Sequence, residues 1–265
     1  MSQIPSPIAS SGDGITVTAD GAVAVLTFSR PPHNYFDAAL LRRLAEALEA
    51  LDQSDAIRAI LIRSEGDVFC AGAKFSGREG VRGTAFDPAE IYREGLRLFR
   101  TRKPIIVAVQ GPAVGGGLGL TLVGDFRVVA EESRFTGNFV KIGIHPGFGI
   151  TYLLPRIVGF QNAAMMLYTG RRLSGQQARE IGLADVVVPR SELATAALAL
   201  AREIAEAAPL ALEATRATLR EGLAAAIERQ TGHECAEQIS LFATDDYSEG
   251  VVAVAERRVG NWRRH

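Results

Sequence analysis

A continuous apolar segment followed at once by a glycine-rich stretch constrains the fold of this chain more than any other feature. The segment IIVAV covers residues 105–109, and GPAVGGGLGL, from Gly111 to Leu120, comes directly after Gln110. Consecutive rather than alternating apolar residues indicate a strand that is buried on both faces, as in a parallel sheet covered by helices. The sequence therefore predicts an α/β fold in which a glycine-rich turn follows a central strand.

Strand and helix patterns alternate before this segment. Residues 14–28, GITVTADGAVAVLTF, contain two stretches of alternating apolar residues and predict a hairpin, because Asp20 and Gly21 between them both tolerate the positive φ of a tight turn. Asp37 is placed to cap a helix that ends near Leu51, and RAILIR, residues 58–63, predicts the next strand. Alternating strands and helices of this kind are typical of a parallel sheet with helical crossovers.

The chain divides into three predicted parts. Residues 1–13 are predicted to be disordered, residues 14–190 to form the α/β core, and residues 191–265 to form a helical region. Another helix is predicted from Pro88 to Thr101, after a polar loop at residues 76–84 of the kind that covers a site. The composition changes near Pro189, but no flexible linker separates the core from the helical region.

Composition and charge exclude several classes of function. The formal net charge of −1 provides no long-range attraction to nucleic acid or anionic lipid. Cys70 and Cys235 are far apart, and the four histidines are scattered, so no metal site or disulfide framework is predicted. No secretion signal and no apolar run of about 20 residues occur, and we expect a soluble, cytoplasmic protein.

The glycine-rich stretch has two interpretations. At the start of a helix, the unpaired N–H groups attract negative charge, and glycine lets a ligand approach the backbone. The plainer interpretation is a tight turn between a strand and a helix. Binding of a dinucleotide is disfavoured, because Leu120 stands where the last glycine of G-x-G-x-x-G counted from Gly115 would be.

The ordered set of motifs resembles the crotonase superfamily, also called the enoyl-CoA hydratase/isomerase family. FCAGAKF follows one predicted buried strand and GPAVGGGLGL follows the next. The resemblance extends from residue 14 to residue 189 through the motifs RPPHN, KPIIVAVQGPAVGGG, GDFRVVAEESRF and YTGRRLSGQQAREIGLADVVVP. Each motif is loose by itself, but their order and spacing together are specific.

The resemblance implies a fold, a ligand and an assembly. The fold would be a right-handed spiral of repeated β-β-α units with a helical C-terminal region that trimerises, giving a homotrimer or a dimer of trimers. The ligand would be an acyl-CoA, with coenzyme A as part of the substrate and no separate cofactor. The resemblance also implies that Asp125 has a structural role, in which its side chain pairs with other groups of the protein.

The resemblance also implies an oxyanion hole made of two backbone N–H groups, those of Ala73 and Gly116. Removing one donor from such a hole costs about 2.7 to 4 kcal/mol of transition-state stabilisation. Because the donors belong to the backbone, small residues are expected around them, and a valine at Gly116 should abolish thioester binding or processing. The residues expected to contact the substrate are Ala71, Ala73, Lys74, Phe75, Gly115, Gly116 and Phe139.

Lys74 stands where many relatives have aspartate, and two interpretations are open. It faces the phosphates of coenzyme A, or it is an exposed lysine of a loop with no specific partner.

The two glutamates that act as acid and base in the hydratases are both missing. Their positions correspond to Gly119 and Phe139, and a carboxylate used by other branches of the family corresponds to Gly147. Proton transfer by one positioned side chain contributes typically about 10² to 10⁴ in rate. His145 is the nearest titratable candidate for an acid or base, although a histidine beside Pro146 can also serve a structural role at a helix entry.

Two functions are consistent with these residues. The first is an enzyme of the enoyl-CoA hydratase/isomerase group with a divergent reaction through an enolate, such as isomerisation, decarboxylation or hydrolysis. The second is an acyl-CoA-binding protein without catalytic activity. An oxyanion hole serves a transition state above all, which favours the enzyme.

Overall fold

The computed structural model describes residues 14–73 and 88–264. The strands in these ranges are β1 Ile15–Asp20, β2 Val23–Phe28, β3 Ala59–Ser64, β4 Ile105–Val109, β5 Pro112–Val114, β6 Phe126–Ala130, β7 Arg134–Thr136, β8 Leu173–Ser174 and β9 Val186–Val188. They form a six-stranded sheet in the order β1-β2-β3-β4-β6-β9 and a three-stranded sheet in the order β5-β7-β8. Apart from the β1–β2 hairpin, neighbouring strands of the large sheet are parallel.

The helices in the described ranges follow the predicted pattern closely. They are α1 Ala38–Asp52, α2 Pro88–Leu98, α3 Gly116–Thr121, α4 Ile150–Val158, α5 Phe160–Thr169, α6 Gly175–Glu180, α7 Leu193–Ala205, α8 Pro209–Leu219, α9 Leu223–Phe242 and α10 Asp245–Ala255, with a short 3₁₀ helix at Asn138–Ile142. The side chain of Asp37 caps α1 by accepting a hydrogen bond of 2.9 Å from the N–H of Leu40. The mixed α/β class is therefore confirmed.

The hairpin forms at the predicted turn, where Gly21 has φ +57°. Its second strand differs from the alternating pattern expected there, because every residue of β2 is buried. β2 lies inside the sheet, between β1 and β3, and both of its faces are covered. On one face, α7 packs against the strands, whereas α1 belongs to the core cluster of the other.

The three short strands of the second sheet were missing from the sequence-based prediction, and β5 has the largest consequence. β5 lies between the central strand β4 and helix α3, in the first part of the glycine-rich stretch. Three residues with a proline at the first position carry too little periodicity to be recognised, and pairing with β7 in a second sheet stabilises them as a strand. This strand moves the start of the helix to Gly116, which decides where the exposed helical N–H groups lie.

Asp125 ties the helical region to the sheet. Its carboxylate accepts hydrogen bonds from the N–H of Ile105, at 2.8 Å, and from the guanidinium groups of Arg216 and Arg220, at 2.8 and 2.7 Å. Burial alone would raise the pKa of Asp125, but the two arginines and the N–H of Ile105 together outweigh it and lower that pKa. Asp125 thus pairs in the structural role that the family resemblance implied.

Some of the predicted segments fall outside the described residues. The predicted N-terminal segment and the polar loop at residues 76–84 lie outside the described ranges. Past Arg190, the secondary structure of the described residues is helical. No helix of the described residues has the length and hydropathy needed to cross a bilayer.

Candidate functional site

Two short segments, residues 70–73 and 114–117, lie against each other and form one wall of the candidate site. The N–H of Val114 donates to the carbonyl of Cys70 at 2.9 Å, and the N–H of Cys70 donates to the carbonyl of Pro112 at 3.1 Å. On the other side of the first segment, the carbonyl of Gly72 accepts a hydrogen bond of 3.0 Å from the N–H of Phe36. Backbone hydrogen bonds thus bring together the described part of FCAGAKF and the stretch GPAVGGGLGL.

The small residues in these segments are required by close backbone packing. Gly72 has φ +97° and Gly115 has φ +54°, both in the region that favours glycine. A Cβ added to Gly117 would overlap the carbonyl oxygen of Cys70. A Cβ added to Gly116 would lie 2.6 Å from Cζ of Phe36, so a valine there would first clash with this ring. The ring of Phe36 is thus a second reason for glycine at position 116, besides the thioester expected from the sequence.

A cavity of about 110 Å³ opens beside the two segments. Apolar groups supply most of its wall, and the polar side chains among the described residues that line it are Tyr92, Asn138 and Gln238. Ala71, Ala73, Gly115, Gly116 and Phe139, which the sequence singled out, all line it. A concave, mainly apolar site with a few polar groups is typical of small-molecule binding.

The amides of Ala73 and Gly116 both lie at this cavity, and neither has a hydrogen-bond acceptor among the described residues. Gly116 is the first residue of α3, where a helix leaves its N–H groups without an intrahelical partner. A Cβ at Gly116 would be 3.7 Å from the nitrogen of Ala73, which places the two peptide groups next to each other. Two adjacent amides without acceptors are suited to bind one carbonyl oxygen.

The position of the first missing glutamate is occupied by an aromatic ring. Gly119 is buried in α3, and a Cβ added to it would lie 2.9 Å from Cβ and Cδ1 of Phe148. The ring of Phe148 therefore takes the space into which a side chain at position 119 would extend. The second missing position, Phe139, lies in the 3₁₀ helix and adds another ring to the cavity wall.

At Gly147 the missing side chain is replaced by a hydroxyl from another part of the chain. A Cβ added to Gly147 would overlap Oη of Tyr92 and lie 2.8 Å from Nε2 of Gln238. Tyr92 belongs to α2 and Gln238 to α9, two helices that pack against each other. The absence of a side chain at Gly147 is thus what allows these two polar groups to reach the cavity.

Hydrogen bonds orient the tyrosine and the glutamine. The Nε2 group of Gln238 donates to the carbonyl of His145 at 2.7 Å, which leaves its Oε1 to accept from the hydroxyl of Tyr92 at 2.6 Å. Tyr92 is 8% exposed, and burial raises its pKa far above the usual value, with the nearby charge of Glu234 adding to the effect. Tyr92 is therefore a neutral hydroxyl at physiological pH.

His145, the acid or base expected from the sequence, does not line this cavity. It is half-buried, its Nδ1 donates to the carbonyl of Pro146 at 2.7 Å, and its ring meets that of His233 at a centroid distance of 5.9 Å. Its contribution to the site is its backbone carbonyl, which orients Gln238. This arrangement corresponds to the structural interpretation of His145.

Two of the residues expected to contact the substrate, Lys74 and Phe75, lie outside the described residues. Among the residues that are described, no group of three or more histidine, cysteine, aspartate or glutamate side chains is placed to hold a metal ion.

The sequence motifs did not indicate Tyr92 and Gln238. Both residues lie in helices outside the recognisable motifs, and 146 positions separate them. The available signal was Gly147, because a glycine at a position where relatives carry a functional side chain leaves space for a group from elsewhere.

Comparisons with known proteins identify related sequences and structures. A family model described as enoyl-CoA hydratase/isomerase matches residues 18–265. A crotonyl-CoA hydratase from Syntrophomonas wolfei is 33% identical over 256 residues, covering 94% of this chain and 98% of the relative. A 4-chlorobenzoyl coenzyme A dehalogenase from an Arthrobacter species is 32% identical over 262 residues, covering 91% and 94%. Relatives of similar identity thus carry names for different reactions.

Solved structures show the same fold. An enoyl-CoA hydratase/isomerase from Pseudoalteromonas atlantica superimposes with a TM-score of 0.84 at 28% identity, covering 94% of this chain and 100% of that one. A protein named EchA1_1 from Mycobacterium paratuberculosis gives 0.81 at 29% identity, covering 96% and 100%. The crotonase-like α/β fold implied by the sequence motifs is therefore confirmed.

Proposed function

Because the chain belongs to the enoyl-CoA hydratase/isomerase family, we propose that it is an enzyme acting on CoA thioesters, with the amides of Ala73 and Gly116 as its oxyanion hole. The observation that carries this proposal is the pair of adjacent amides without acceptors among the described residues, at the wall of an apolar cavity. Donors fixed in position before the reaction stabilise the negative charge that develops on the thioester oxygen.

The described side chains around the cavity favour a divergent reaction over hydration. No aspartate or glutamate of the described residues lines the cavity, and its one titratable side chain among them is Tyr92. With its pKa raised by burial, Tyr92 is a proton donor or hydrogen-bonding group and a poor base. Hydration, hydrolysis and isomerisation all require a base, to activate water or to remove a proton from carbon.

Among the candidate reactions, decarboxylation makes the smallest demand on these residues. The bond from the α carbon to the carboxylate breaks, its electron pair forms the enolate held by Ala73 and Gly116, and carbon dioxide leaves. The hydroxyl of Tyr92, turning from Gln238, gives its proton to the α carbon, and the phenolate takes a proton from water. The substrate class is then a CoA thioester with a carboxylate on its α carbon.

The reaction is tested by mass spectrometry in D₂O with a panel of thioesters. The panel contains malonyl-type, 2-enoyl, 3-enoyl and saturated acyl-CoA compounds. We expect loss of 44 mass units from the malonyl type with one deuterium gained at the α carbon, as balanced protonation of an enolate in D₂O requires. Conversion of an enoyl-CoA to a hydroxyacyl-CoA at a comparable rate would contradict the assignment of decarboxylation.

The oxyanion hole is tested separately by removing one N–H. Proline is tolerated at the first position of a helix and has no N–H, so Gly116→Pro deletes the donor while α3 can persist. Phe36→Leu is combined with it, because a Cβ at position 116 would clash with that ring. The matched control, Gly116→Ala with Phe36→Leu, adds the carbon and keeps the N–H. We expect turnover about 10² to 10³ lower in the proline variant than in this control, and equal rates would contradict the assignment.

A second candidate, an acyl-CoA-binding protein without activity, is favoured by one observation. The cavity has no carboxylate among the described residues that line it, whereas the hydratase members depend on two. Calorimetry with the same panel separates the two functions. Binding of a thioester at least tenfold tighter than free coenzyme A, without conversion of any compound, supports the binding protein.

A further inference from the structure

Phe148 has an unusual backbone conformation for a large side chain. Its φ is +64°, and the next residue, Gly149, has φ +73°. A bulky residue in this left-handed region is uncommon, costs free energy, and persists where the surrounding structure determines it. Phe148 immediately precedes the N-terminal cap of α4, so its position depends on how that helix begins.

A buried carboxylate holds the start of this helix. Glu234, on α9, accepts hydrogen bonds from the N–H of Gly149 at 2.7 Å and from the N–H of Thr151 at 3.0 Å, and a third from the hydroxyl of Thr151. Glu234 is completely buried, and its side chain satisfies N–H groups that the helix leaves unpaired. The backbone on both sides of Gly149 is thus fixed, and the ring of Phe148 is set in one place.

The ring is enclosed by helices α2 and α3 and by two further aromatic rings. Besides its contact with Gly119 of α3, its Cε2 would lie 3.0 Å from a Cβ added to Gly95 of α2. The rings of Phe36 and Phe99 lie 5.4 and 6.3 Å away between centroids. The absence of a side chain at two glycines therefore creates the space that the ring occupies.

Phe148 lines two spaces at once. It belongs to the wall of the candidate site, and it also borders a narrow gap, too small to hold a water molecule, beside Gly95, Leu96, Phe99 and Thr231. Tyr92 is the other residue common to the two spaces. The ring of Phe148 consequently separates the cavity from an apolar region in which Phe99 is 5% exposed.

We propose that Phe148 is a specificity-determining residue that closes the acyl cavity and selects CoA thioesters with a short or compact acyl group over long straight chains. This inference rests on the proposed function, because it assigns the cavity to the acyl group. Removing the ring leaves its own volume empty, extends the cavity toward Gly95 and Phe99, and provides apolar surface for further methylene groups. Each methylene group that becomes buried increases affinity, so the preference shifts toward longer chains.

The experiment measures binding of unreactive analogues, which keeps it independent of the reaction catalysed. The probes are CoA analogues in which a methylene group replaces the thioester sulfur, with acyl chains of 4, 8 and 12 carbons, and free CoA is the reference. We expect the wild type to bind the 4-carbon analogue best. Phe148→Ala should shift the ratio of the 12-carbon to the 4-carbon affinity at least tenfold toward the long chain, with a smaller shift in Phe148→Leu.

Two further variants make the test specific. Phe99→Leu removes the same group of atoms as Phe148→Leu, but on the far side of the Phe148 ring. It should leave the chain-length preference of the wild type unchanged. Gly95→Ala in the Phe148→Ala background places a methyl group toward the vacated space and should reverse part of the shift. Phe148→Leu keeps most of the apolar volume, so the test holds even if Phe148→Ala does not fold.

The outcomes distinguish this inference from the proposed function. An unchanged chain-length preference in folded Phe148→Leu and Phe148→Ala would overturn the role of Phe148 and leave the proposed function standing. Wild-type protein that binds no acyl analogue more tightly than free CoA would overturn both.

Discussion

Tyr92 and Gln238 meet through a hydrogen bond of 2.6 Å at the place where Gly147 lacks a side chain. The hydroxyl donates to Oε1, because Nε2 of the same amide is already committed to the carbonyl of His145. Two helices thereby supply, through their packing, a polar group that the local sequence at Gly147 does not have.

If Tyr92 provides the proton, Tyr92→Phe should lower turnover about 10²- to 10⁴-fold, the usual contribution of a positioned proton donor. Binding of an unreactive acyl analogue should change little. The measurement is kcat beside the dissociation constant of the analogue. Tyr168→Phe is the matched control, because that side chain is 74% exposed and should have no effect. A Tyr92→Phe variant with wild-type kcat would show that the proton comes from elsewhere.

Restoring a carboxylate at position 119 should require removal of the ring above it. Gly119→Glu alone should be strongly destabilised, because its Cβ would be 2.9 Å from Cδ1 and 3.1 Å from Cγ of the Phe148 ring, and overpacking costs about 1 to 3 kcal/mol or more. Phe148→Ala supplies the missing space, so the two changes should be less destabilising together than the sum of their separate effects. Chemical denaturation of all four proteins in a double-mutant cycle measures this coupling. Strict additivity would mean that the ring and the position 119 side chain do not compete for space.

Asp125→Asn should lower the free energy of unfolding by about 3 to 5 kcal/mol, the cost of leaving buried charges without their partner. Arg216 and Arg220 would both lose the carboxylate. The exposed pair of Asp20 and Arg202 provides the control, and Asp20→Asn should cost at most about 1 kcal/mol. Similar losses in the two variants would contradict the special role of Asp125.

The same carboxylate predicts a dependence of stability on pH. The pKa of Asp125 is lower in the folded protein than its ordinary value of 3.8, so the unfolded chain binds the proton more readily. Its stabilising contribution is therefore present above pH 3.8 and is lost as the pH falls through the lowered folded value. Thermal unfolding between pH 3 and pH 7 should show a smaller loss of stability on acidification in Asp125→Asn than in the wild type.

The thiol of Cys70 should be unreactive in the folded protein. Burial raises its pKa to about 12, and the side chain is fully buried at the start of the segment 70–73. Since the thiolate is the reactive form, a Cys235→Ser variant should show no labelling by a thiol reagent at pH 8 until it is unfolded. Labelling of that native variant at the rate of a free thiol would contradict the burial of Cys70.

Local patterns in the sequence predicted much of the fold. The apolar run at β4, the Asp20-Gly21 turn and the cap at Asp37 each depend on a few neighbouring residues, and all three form as expected. The three-residue strand β5 was missed, because its stability comes from pairing with β7, which lies about twenty residues further along the chain. Short strands of this kind have no period of their own to detect.

The features of the candidate site likewise fall into those that the local sequence determines and those that depend on contacts between distant residues. The sequence by itself determined that glycines stand at positions 72, 115 and 117, and that side chains able to act as acids are missing at Gly119 and Phe139. The physical reason is local: positive φ and close backbone contacts require glycine, and a residue type either carries a titratable group or does not.

Only the tertiary structure decided what fills the spaces these residues leave. Phe148 covers Gly119, and the Tyr92 hydroxyl takes the space beside Gly147, because α2, α9 and the segment just before α4 meet at the cavity. Such contacts join residues that are distant in sequence, and the direction of a side chain follows from the packing of its helix against others. The same packing left His145 outside the cavity, although its position in the sequence had made it the nearest candidate.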